Sequence, residues 1–199
     1  MDSVGRIVSS MQHAAVDVNL PVPTDEAVKD IIGLSLKEAL HILFGALSAE
    51  DFERLTSAYR DHYVNKDETP TPLFAGSMET LKALKEKGYL MAVATGKARQ
   101  GLVRVWAQTD TEKFFDFSCC ADEAASKPSP QMIENILNHL DVKPEDALMV
   151  GDSCYDMQMA KAAGVDRIGV SFGVHNETHL LPHGPLTILD DMRALLNWV

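Results

Sequence analysis

The residues best suited to chemistry in this sequence are two aspartates, Asp152 and Asp156, that closely follow a short apolar run. The run covers 147–150 and stops at Gly151, a pattern typical of a buried strand. The residues after Asp156 have helical spacing up to Gly164. We therefore expect both carboxylates at the carboxyl end of a strand, where open α/β sheets bind ligands. Oxygen ligands on such a loop suit Mg²⁺, which in turn suits phosphate. The alternative is that Asp152 caps the helix and Asp156 is a surface charge in its first turn.

Two other polar groups are predicted at the loop ends of neighbouring units. Thr95 ends the apolar run 89–94, and the amides from Gly96 onward are predicted to open a helix, which makes an anion site. Lys127 precedes a Ser-Pro pair that predicts another helix start, and a lysine there can hold phosphate as a point charge. Taken singly, Thr95 also fits a helix cap and Lys127 a solvated surface lysine. Together, the hydroxyl, the lysine and the acid pair supply the donors, the cation and the metal clamp that phosphoryl transfer needs.

The elements predicted around these groups fall into two regions. Residues 1–70 are predicted to form a helical domain and residues 71–199 an α/β domain, with the extended segment Thr69-Pro70-Thr71-Pro72 as the hinge. In the second region strands alternate with helices, which predicts a doubly wound parallel sheet covered on both faces. The predicted helices lie at about 4–18, 24–33, 35–44, 48–63, 77–87, 97–106, 129–140 and 157–164, and the predicted strands at 89–94, 114–120, 147–150 and 167–170.

Composition and charge narrow the possible partners. The chain carries 29 acidic and 18 Lys or Arg side chains, a formal net charge of −11. Nucleic acid and anionic membranes are therefore poor partners. The binding of a phosphate substrate is still possible, because it depends on the local charge and on a metal ion rather than on the net charge. The three cysteines lack metal-type spacing and predict reduced thiols. No apolar stretch approaches the ~20 residues of a membrane span, and no signal peptide is recognised, so we expect a cytoplasmic protein.

The order and spacing of these motifs resemble the haloacid dehalogenase superfamily of hydrolases, in its phosphoglycolate-phosphatase-like branch with a helical cap. Thr95 matches the second motif of that family, Lys127 the third, and Gly151-Asp152-x-x-x-Asp156 the fourth. The segment 74–88 resembles the family's return from cap to core. The resemblance covers essentially the whole chain. It implies a Rossmann-like core, an α-helical cap and a Mg²⁺-dependent phosphatase that hydrolyses a small, phosphoglycolate-like phosphorylated metabolite.

The resemblance also implies a role for each matching residue. Thr95, Lys127 and Asp152 would be catalytic, with Thr95, Gly96 and Lys127 holding phosphate oxygens. Asp152 would bind Mg²⁺, and Asp156 would orient the ion directly or through water. The expected partner is a small phosphorylated metabolite, and the expected assembly is a monomer or homodimer.

The sequence departs from the family at its first motif, an Asp-x-Asp that ends the first strand. Asp2 is not a credible nucleophile, because its position does not fit a strand end. Without the attacking carboxylate, the chain as given is expected to be inactive. The strands at 89–94 and 147–150 are also expected to lack the partner that normally lies between them. We interpret the sequence as beginning too late, and in-frame upstream codons for Asp-x-Asp would test this.

Two other functions remain open from the sequence. A catalytically dead relative that binds phosphate or a partner protein is favoured if the first motif is truly absent. A sugar-phosphate mutase on the same scaffold is harder to exclude. Near the carboxyl end, His175, His179 and His183 have helical spacing, but Pro182 interrupts any helix that would align them as metal ligands.

Overall fold

The computed structural model describes all 199 residues, Met1–Val199. They form two compact units. One comprises Met1–Ile32 and Leu36–Pro72, and the other comprises Gly33–Ser35 and Leu73–Val199. Every helix falls short of the length or the apolar character that crossing a bilayer requires.

The first unit is helical, as predicted. Its elements are α1 (Val4–Asp17), α2 (Asp25–Asp30), α3 (Leu36–Phe44), α4 (Ala49–Asp61) and a π-helical continuation of α4 over His62–Lys66. The Thr24 hydroxyl accepts a hydrogen bond from the Ala27 amide, and the Ser48 hydroxyl accepts one from the Asp51 amide, so both residues cap the helices that follow them. Fully buried side chains of Met11, Leu40 and Leu55 lie in this unit.

The second unit contains all the strands and alternates them with helices. Its elements are α5 (Ser77–Glu86), β1 (Ala92–Thr95), α6 (Arg99–Thr109), β2 (Phe117–Cys120), α7 (Gln131–Leu140), β3 (Leu148–Gly151), α8 (Cys154–Ala162), β4 (Asp166–Val170), α9 (Glu177–Leu180), β5 (Ile188–Leu189) and a 3₁₀ helix over Met192–Asn197. Every strand pair is parallel, which confirms the predicted α/β class. One hydrophobic core of this unit forms where the apolar face of α7 packs against β2, Met159 and Val165.

The strands pair as two separate groups. One sheet has the order β1-β2 and the other β3-β4-β5, and no strand pairs with the second edge of β1 or of β3. The sequence-based expectation that these two strands lack a partner between them is thus confirmed. All four residues of β1 and the first three of β3 are only half-buried. Their partial exposure lowers the cost of leaving the second edges unpaired, because unpaired backbone groups are costly only where they are buried.

Several element boundaries differ from the sequence prediction. The strand predicted at 89–94 begins only at Ala92, because the Tyr89 amide still donates to the Leu84 carbonyl and closes the end of α5. Tyr89 and Leu90 remain exposed. The apolar run 114–120 is divided, since Phe114 ends a 3₁₀ turn and only Phe117 starts β2. The two-residue strand β5 was missed, because it is too short to show alternation.

The buried and exposed leucines at the end of α9 provide a test of this packing. Leu180 is fully buried, whereas the next residue, Leu181, is 59% exposed. We expect Leu180→Ala to lower the free energy of unfolding by about 2–5 kcal/mol, since it leaves a cavity beside β4. Leu181→Ala should change it by less than about 0.5 kcal/mol. Urea unfolding measures both, and equal effects would contradict the packing described here.

Candidate active site

A buried ion pair lies at the centre of the candidate site. The Lys127 Nζ atom is 2.6 Å from Asp156 Oδ1, and the two side chains are only 5% and 7% exposed. The same ammonium donates to the Ala94 carbonyl at 3.0 Å. Lys127 is therefore not the solvated surface lysine that its position alone would allow. It connects the carboxyl end of β1 to the start of α8, and so links the two sheets.

Asp156 is held in place by a capping box at the start of α8. The Ser153 hydroxyl accepts from the Asp156 amide, while Asp156 Oδ2 accepts from the Ser153 amide at 3.0 Å and from its hydroxyl at 2.7 Å. Ser153, rather than Asp152, is thus the helix cap, and Asp156 is buried rather than a surface charge. The serine-x-x-acid spacing was visible in the sequence, where it is typical of a helix start.

The pKa of Asp156 reflects these contacts. Burial by itself would raise it, but the Lys127 ammonium and the hydrogen bonds from Ser153 hold it below the ordinary value of 3.8. Gly151 permits this close arrangement, since a Cβ at that position would lie 2.3 Å from the Asp156 Cβ. Glycine is therefore sterically required at the first position of the Gly-Asp-x-x-x-Asp motif.

Asp152 follows the last residue of β3 and lies beside the segment after β4. Its Oδ2 accepts from the Val174 amide at 3.2 Å, and its backbone carbonyl accepts from the His175 amide at 3.0 Å. The pKa of Asp152 is raised, first by burial and then by repulsion from Asp156. Unlike Asp156, it forms no ion pair with Lys127. A positive charge next to Asp152 would therefore lower the energy of the site.

Thr95 and Gly96 lie in the loop after β1, next to the carbonyl that Lys127 contacts. The Thr95 hydroxyl accepts from the Lys97 amide at 3.1 Å, and the Lys97 carbonyl accepts from Ala121 at 3.0 Å. These bonds keep 96–98 outside the helix, so α6 begins at Arg99 and not at Lys97 as predicted. A Cβ on Gly96 would lie 2.6 Å from the Leu34 carbonyl oxygen, so only glycine fits here.

Arg99 fastens the same loop to the end of β2. Its guanidinium contacts Glu123 at 2.6 Å and the Ser118 hydroxyl at 2.6 Å, and its amide donates to Asp122 at 2.9 Å. The acidic side chains of Asp122 and Glu123 form a group with Cys120 that has metal-like proximity. Because Arg99 already engages both carboxylates, we interpret this group as a support of the loop and not as a cation site.

The structure therefore brings the three predicted strand-end motifs to one region of the α/β unit. Lys127 and Asp156 are in direct contact, Asp152 is close enough to interact electrostatically with both, and Thr95 follows the Ala94 carbonyl that Lys127 binds. Sequence reasoning missed the supporting residues Ser153, Val174 and His175. The last two follow β4, and nothing in their types indicates that their amides contact Asp152.

Comparison with known proteins identifies the family of the chain. Residues 1–170 match the family model described as haloacid dehalogenase-like hydrolase. The chain belongs to the haloacid dehalogenase-like hydrolase family. Among its relatives is IndB of Dickeya dadantii (strain 3937), described as a probable phosphatase, with 34% identity over 99% of this chain and 87% of the relative. The pyrophosphatase PpaX of Bacillus cereus (strain G9842) is 29% identical over 96% of this chain and 87% of its own length.

Solved structures support the same assignment. A haloacid dehalogenase-like hydrolase from Bacteroides fragilis superposes with a TM-score of 0.88 at 26% identity, covering 98% of this chain and 93% of that one. A predicted phosphoglycolate phosphatase from Haemophilus somnus 129pt gives a TM-score of 0.85 at 24% identity, with 98% and 91% coverage. This second likeness shows a shared fold. Both the superfamily resemblance and the fold class expected from the sequence are confirmed.

The donor chemistry of the site fits the divalent cation that the family implies. Asp152 offers a hard carboxylate oxygen, and because desolvation and the neighbouring Asp156 raise its pKa, a cation beside it would stabilise the ionised form. Asp156 differs, because Lys127 occupies one of its oxygens and Ser153 the other. This arrangement favours contact with a cation through water, one of the two roles expected for Asp156.

The buried ion pair yields a stability prediction. Asp156→Asn or Lys127→Met should each lower the free energy of unfolding by about 3–5 kcal/mol, because the remaining charge is left buried without its partner. The double variant should be less destabilised than the sum of the two single changes.

Urea unfolding at pH 7 measures these effects, and an exposed ion pair provides the control. Lys143 and Glu145 lie 3.9 Å apart with side chains 76% and 69% exposed. Lys143→Met should therefore cost no more than about 1 kcal/mol. If Asp156→Asn and Lys127→Met lowered the free energy of unfolding no more than Lys143→Met does, the stabilising role of the buried pair would be contradicted.

The opposite pKa shifts of the two aspartates predict opposite signs for their neutral variants. Because the folded pKa of Asp152 lies above its ordinary value, its ionised form opposes folding at neutral pH. Asp152→Asn should thus raise the free energy of unfolding at pH 7 in EDTA, whereas Asp156→Asn lowers it. As the pH falls, the Asp152→Asn difference should shrink first, through the raised pKa of Asp152 in the folded protein, and the Asp156→Asn difference only below the ordinary value of 3.8. Urea unfolding between pH 3 and pH 7 measures this, and a destabilising Asp152→Asn at pH 7 would contradict it.

Proposed function

We propose that this chain forms the phosphate- and magnesium-binding part of a phosphatase active site for a small phosphorylated metabolite. The observation that carries the proposal is the buried Lys127 ammonium, held by Ala94 and Asp156 beside the Asp152 carboxylate. A buried ion pair with a second, half-buried carboxylate beside it is costly to maintain for stability alone. Neighbouring carboxyl groups whose pKa values shift in opposite directions are typical of functional sites.

Lys127 would provide the central contact to the phosphate. Its ammonium has three N–H donors, and Ala94 and Asp156 take two of them. The third would be available to a phosphate oxygen. Thr95 and the Gly96 amide, one and two residues beyond Ala94, would hold other oxygens. These donors would stabilise the charge that develops on the phosphoryl group.

Asp152 would hold Mg²⁺, and Asp156 would orient it through water. A bound Mg²⁺ would neutralise negative charge on the phosphate and help to align it. The hydrolytic step also needs an attacking carboxylate, which the family supplies from its first motif. We therefore propose that these residues bind phosphate and metal, and that hydrolysis itself depends on a strand ending in Asp-x-Asp.

The helical residues 1–70 would act as the cap over a core of residues 71–199. Caps of this kind exclude water and select the substrate. Because PpaX is named a pyrophosphatase, inorganic pyrophosphate belongs with phosphoglycolate and sugar phosphates among the substrates to compare. Cytoplasmic location and a monomeric or homodimeric state remain predictions from the sequence.

The proposed function is tested by binding and by turnover. Calorimetry on the 199-residue chain should show saturable binding of Mg²⁺, and of inorganic phosphate in its presence. A form to which a strand ending in Asp-x-Asp is added before Met1 should hydrolyse p-nitrophenyl phosphate only with Mg²⁺. Asp152→Asn should reduce that rate by about 100-fold or more, since loss of a direct ligand exceeds the 10–100-fold typical of outer partners.

A matched control is Asp166→Asn. Asp166 is an exposed aspartate at the amino end of β4, at the opposite edge of the sheet, and its replacement should leave turnover unchanged. Phosphate binding without turnover in the extended form would favour a catalytically dead relative. Conversion of a sugar phosphate without release of phosphate would favour a mutase.

A further inference from the structure

The segment that follows β4 contacts the Asp152 loop through both backbone and side chain. We propose that Gly173–His175 positions the Asp152 carboxylate for a divalent cation, with Gly173 and His175 as positioning residues. This inference rests on the proposed function, because it concerns the same cation. We call these three residues the β4 clip.

Three hydrogen bonds join the β4 clip to the loop between β3 and α8. The Val174 amide donates to Asp152 Oδ2 at 3.2 Å, which fixes one carboxylate oxygen. The His175 amide donates to the Asp152 carbonyl at 3.0 Å, which fixes the backbone of the same residue. The Cys154 amide donates to His175 Nδ1 at 3.0 Å. The first bond therefore fixes the carboxylate of Asp152 and the second fixes its backbone. The third fixes the first residue of α8, two residues further along the chain.

Gly173 lets the Asp152 side chain lie directly against the clip backbone. A Cβ at position 173 would be 2.1 Å from the Asp152 Cβ and 2.4 Å from its Oδ2. Real atoms cannot approach so closely, so any side chain at position 173 must displace Asp152. Glycine is thus required here by the close approach of the carboxylate that would bind the cation.

The His175 ring completes the first turn of α8. The first amides of a helix have no partner within the helix, and the Ser153 hydroxyl accepts from that of Asp156. The His175 ring, 4% exposed, supplies an acceptor to Cys154. A backbone amide can only donate, so Nδ1 must be the unprotonated ring nitrogen. His175 thereby ties the start of α8 to the segment that holds Asp152.

The hydrogen bonds of the β4 clip have a consequence for cation binding that ordinary side-chain packing does not have. A carboxylate ligand contributes to affinity according to how closely it is held in the binding orientation, and partners that orient ligands typically change metal affinity by about 10–100-fold. The partners of Asp152 come from a different loop from the one that carries it. The affinity for Mg²⁺ should thus depend on residues that never touch the ion.

Replacement of His175 tests the clip through binding alone. His175→Leu removes the acceptor at nearly constant volume, whereas His175→Asn keeps an oxygen acceptor close to the position of Nδ1. We expect His175→Leu to weaken Mg²⁺ binding by about 10–100-fold in calorimetry on the metal-free chain. His175→Asn should retain affinity within about threefold of the wild type, as expected when a single charge-free hydrogen bond is largely restored.

Gly173→Ala provides a second, independent test, since it displaces the carboxylate without touching the histidine. It should weaken Mg²⁺ binding by at least about 10-fold. Ile133→Val removes one buried methyl group from α7, outside the clip. It should lower the unfolding temperature and leave Mg²⁺ affinity unchanged, which separates positioning from general stability.

The outcomes distinguish the clip from the proposed function. If the wild type binds Mg²⁺ and Asp152→Asn does not, the cation site stands. Unchanged affinity in both His175→Leu and Gly173→Ala would then overturn the clip. Equal weakening in His175→Leu and His175→Asn would overturn the role of the acceptor. A wild type without saturable Mg²⁺ binding would overturn the proposed cation site itself.

Discussion

The ion pair between Lys127 and Asp156 is the interaction on which the candidate site depends. Removing two charges from water is costly, and their mutual attraction offsets the cost only when other hydrogen bonds complete the arrangement. Here the Ala94 carbonyl adds to the lysine, and Ser153 adds two donors to the aspartate. The pair therefore forms only when the end of β1, the loop before α7 and the start of α8 are correctly positioned relative to one another. Those same three places carry the groups proposed to bind phosphate and metal.

The arrangement of the strands gives the Lys127–Asp156 ion pair a second structural role. No strand hydrogen bonds join the β1-β2 sheet to the β3-β4-β5 sheet. Lys127 spans the two, since it bonds to a carbonyl of β1 and to a side chain of α8, the helix that follows β3. A polar contact thus contributes to an alignment that a continuous parallel sheet would secure with backbone bonds. We infer that stability and site geometry are closely coupled in this unit.

The two aspartates show how one short loop produces two different electrostatic environments. Asp156 has Lys127 and Ser153 as partners, and its pKa falls. Asp152, four residues earlier, is desolvated beside another negative charge, and its pKa rises. One carboxylate therefore stabilises the fold, whereas the ionised form of the other is disfavoured by its surroundings and would be stabilised by a cation. This division of roles is typical of sites in which stability is sacrificed locally for binding.

The sequence by itself determined the fold class, the helical first region and the strand-end motifs, because apolar periodicity, glycine and serine caps and turn residues are local signals. It was enough to indicate Thr95, Lys127, Asp152 and Asp156 as candidates. Only the tertiary structure decided that Lys127 is buried, that Asp156 is its partner, and that His175 supports the loop. The physical reason is that burial and pairing depend on which segments meet. Lys127 lies 29 residues from Asp156 in sequence, and His175 lies 21 from Cys154, so their contacts arise from the packing of strands and helices that no local pattern encodes.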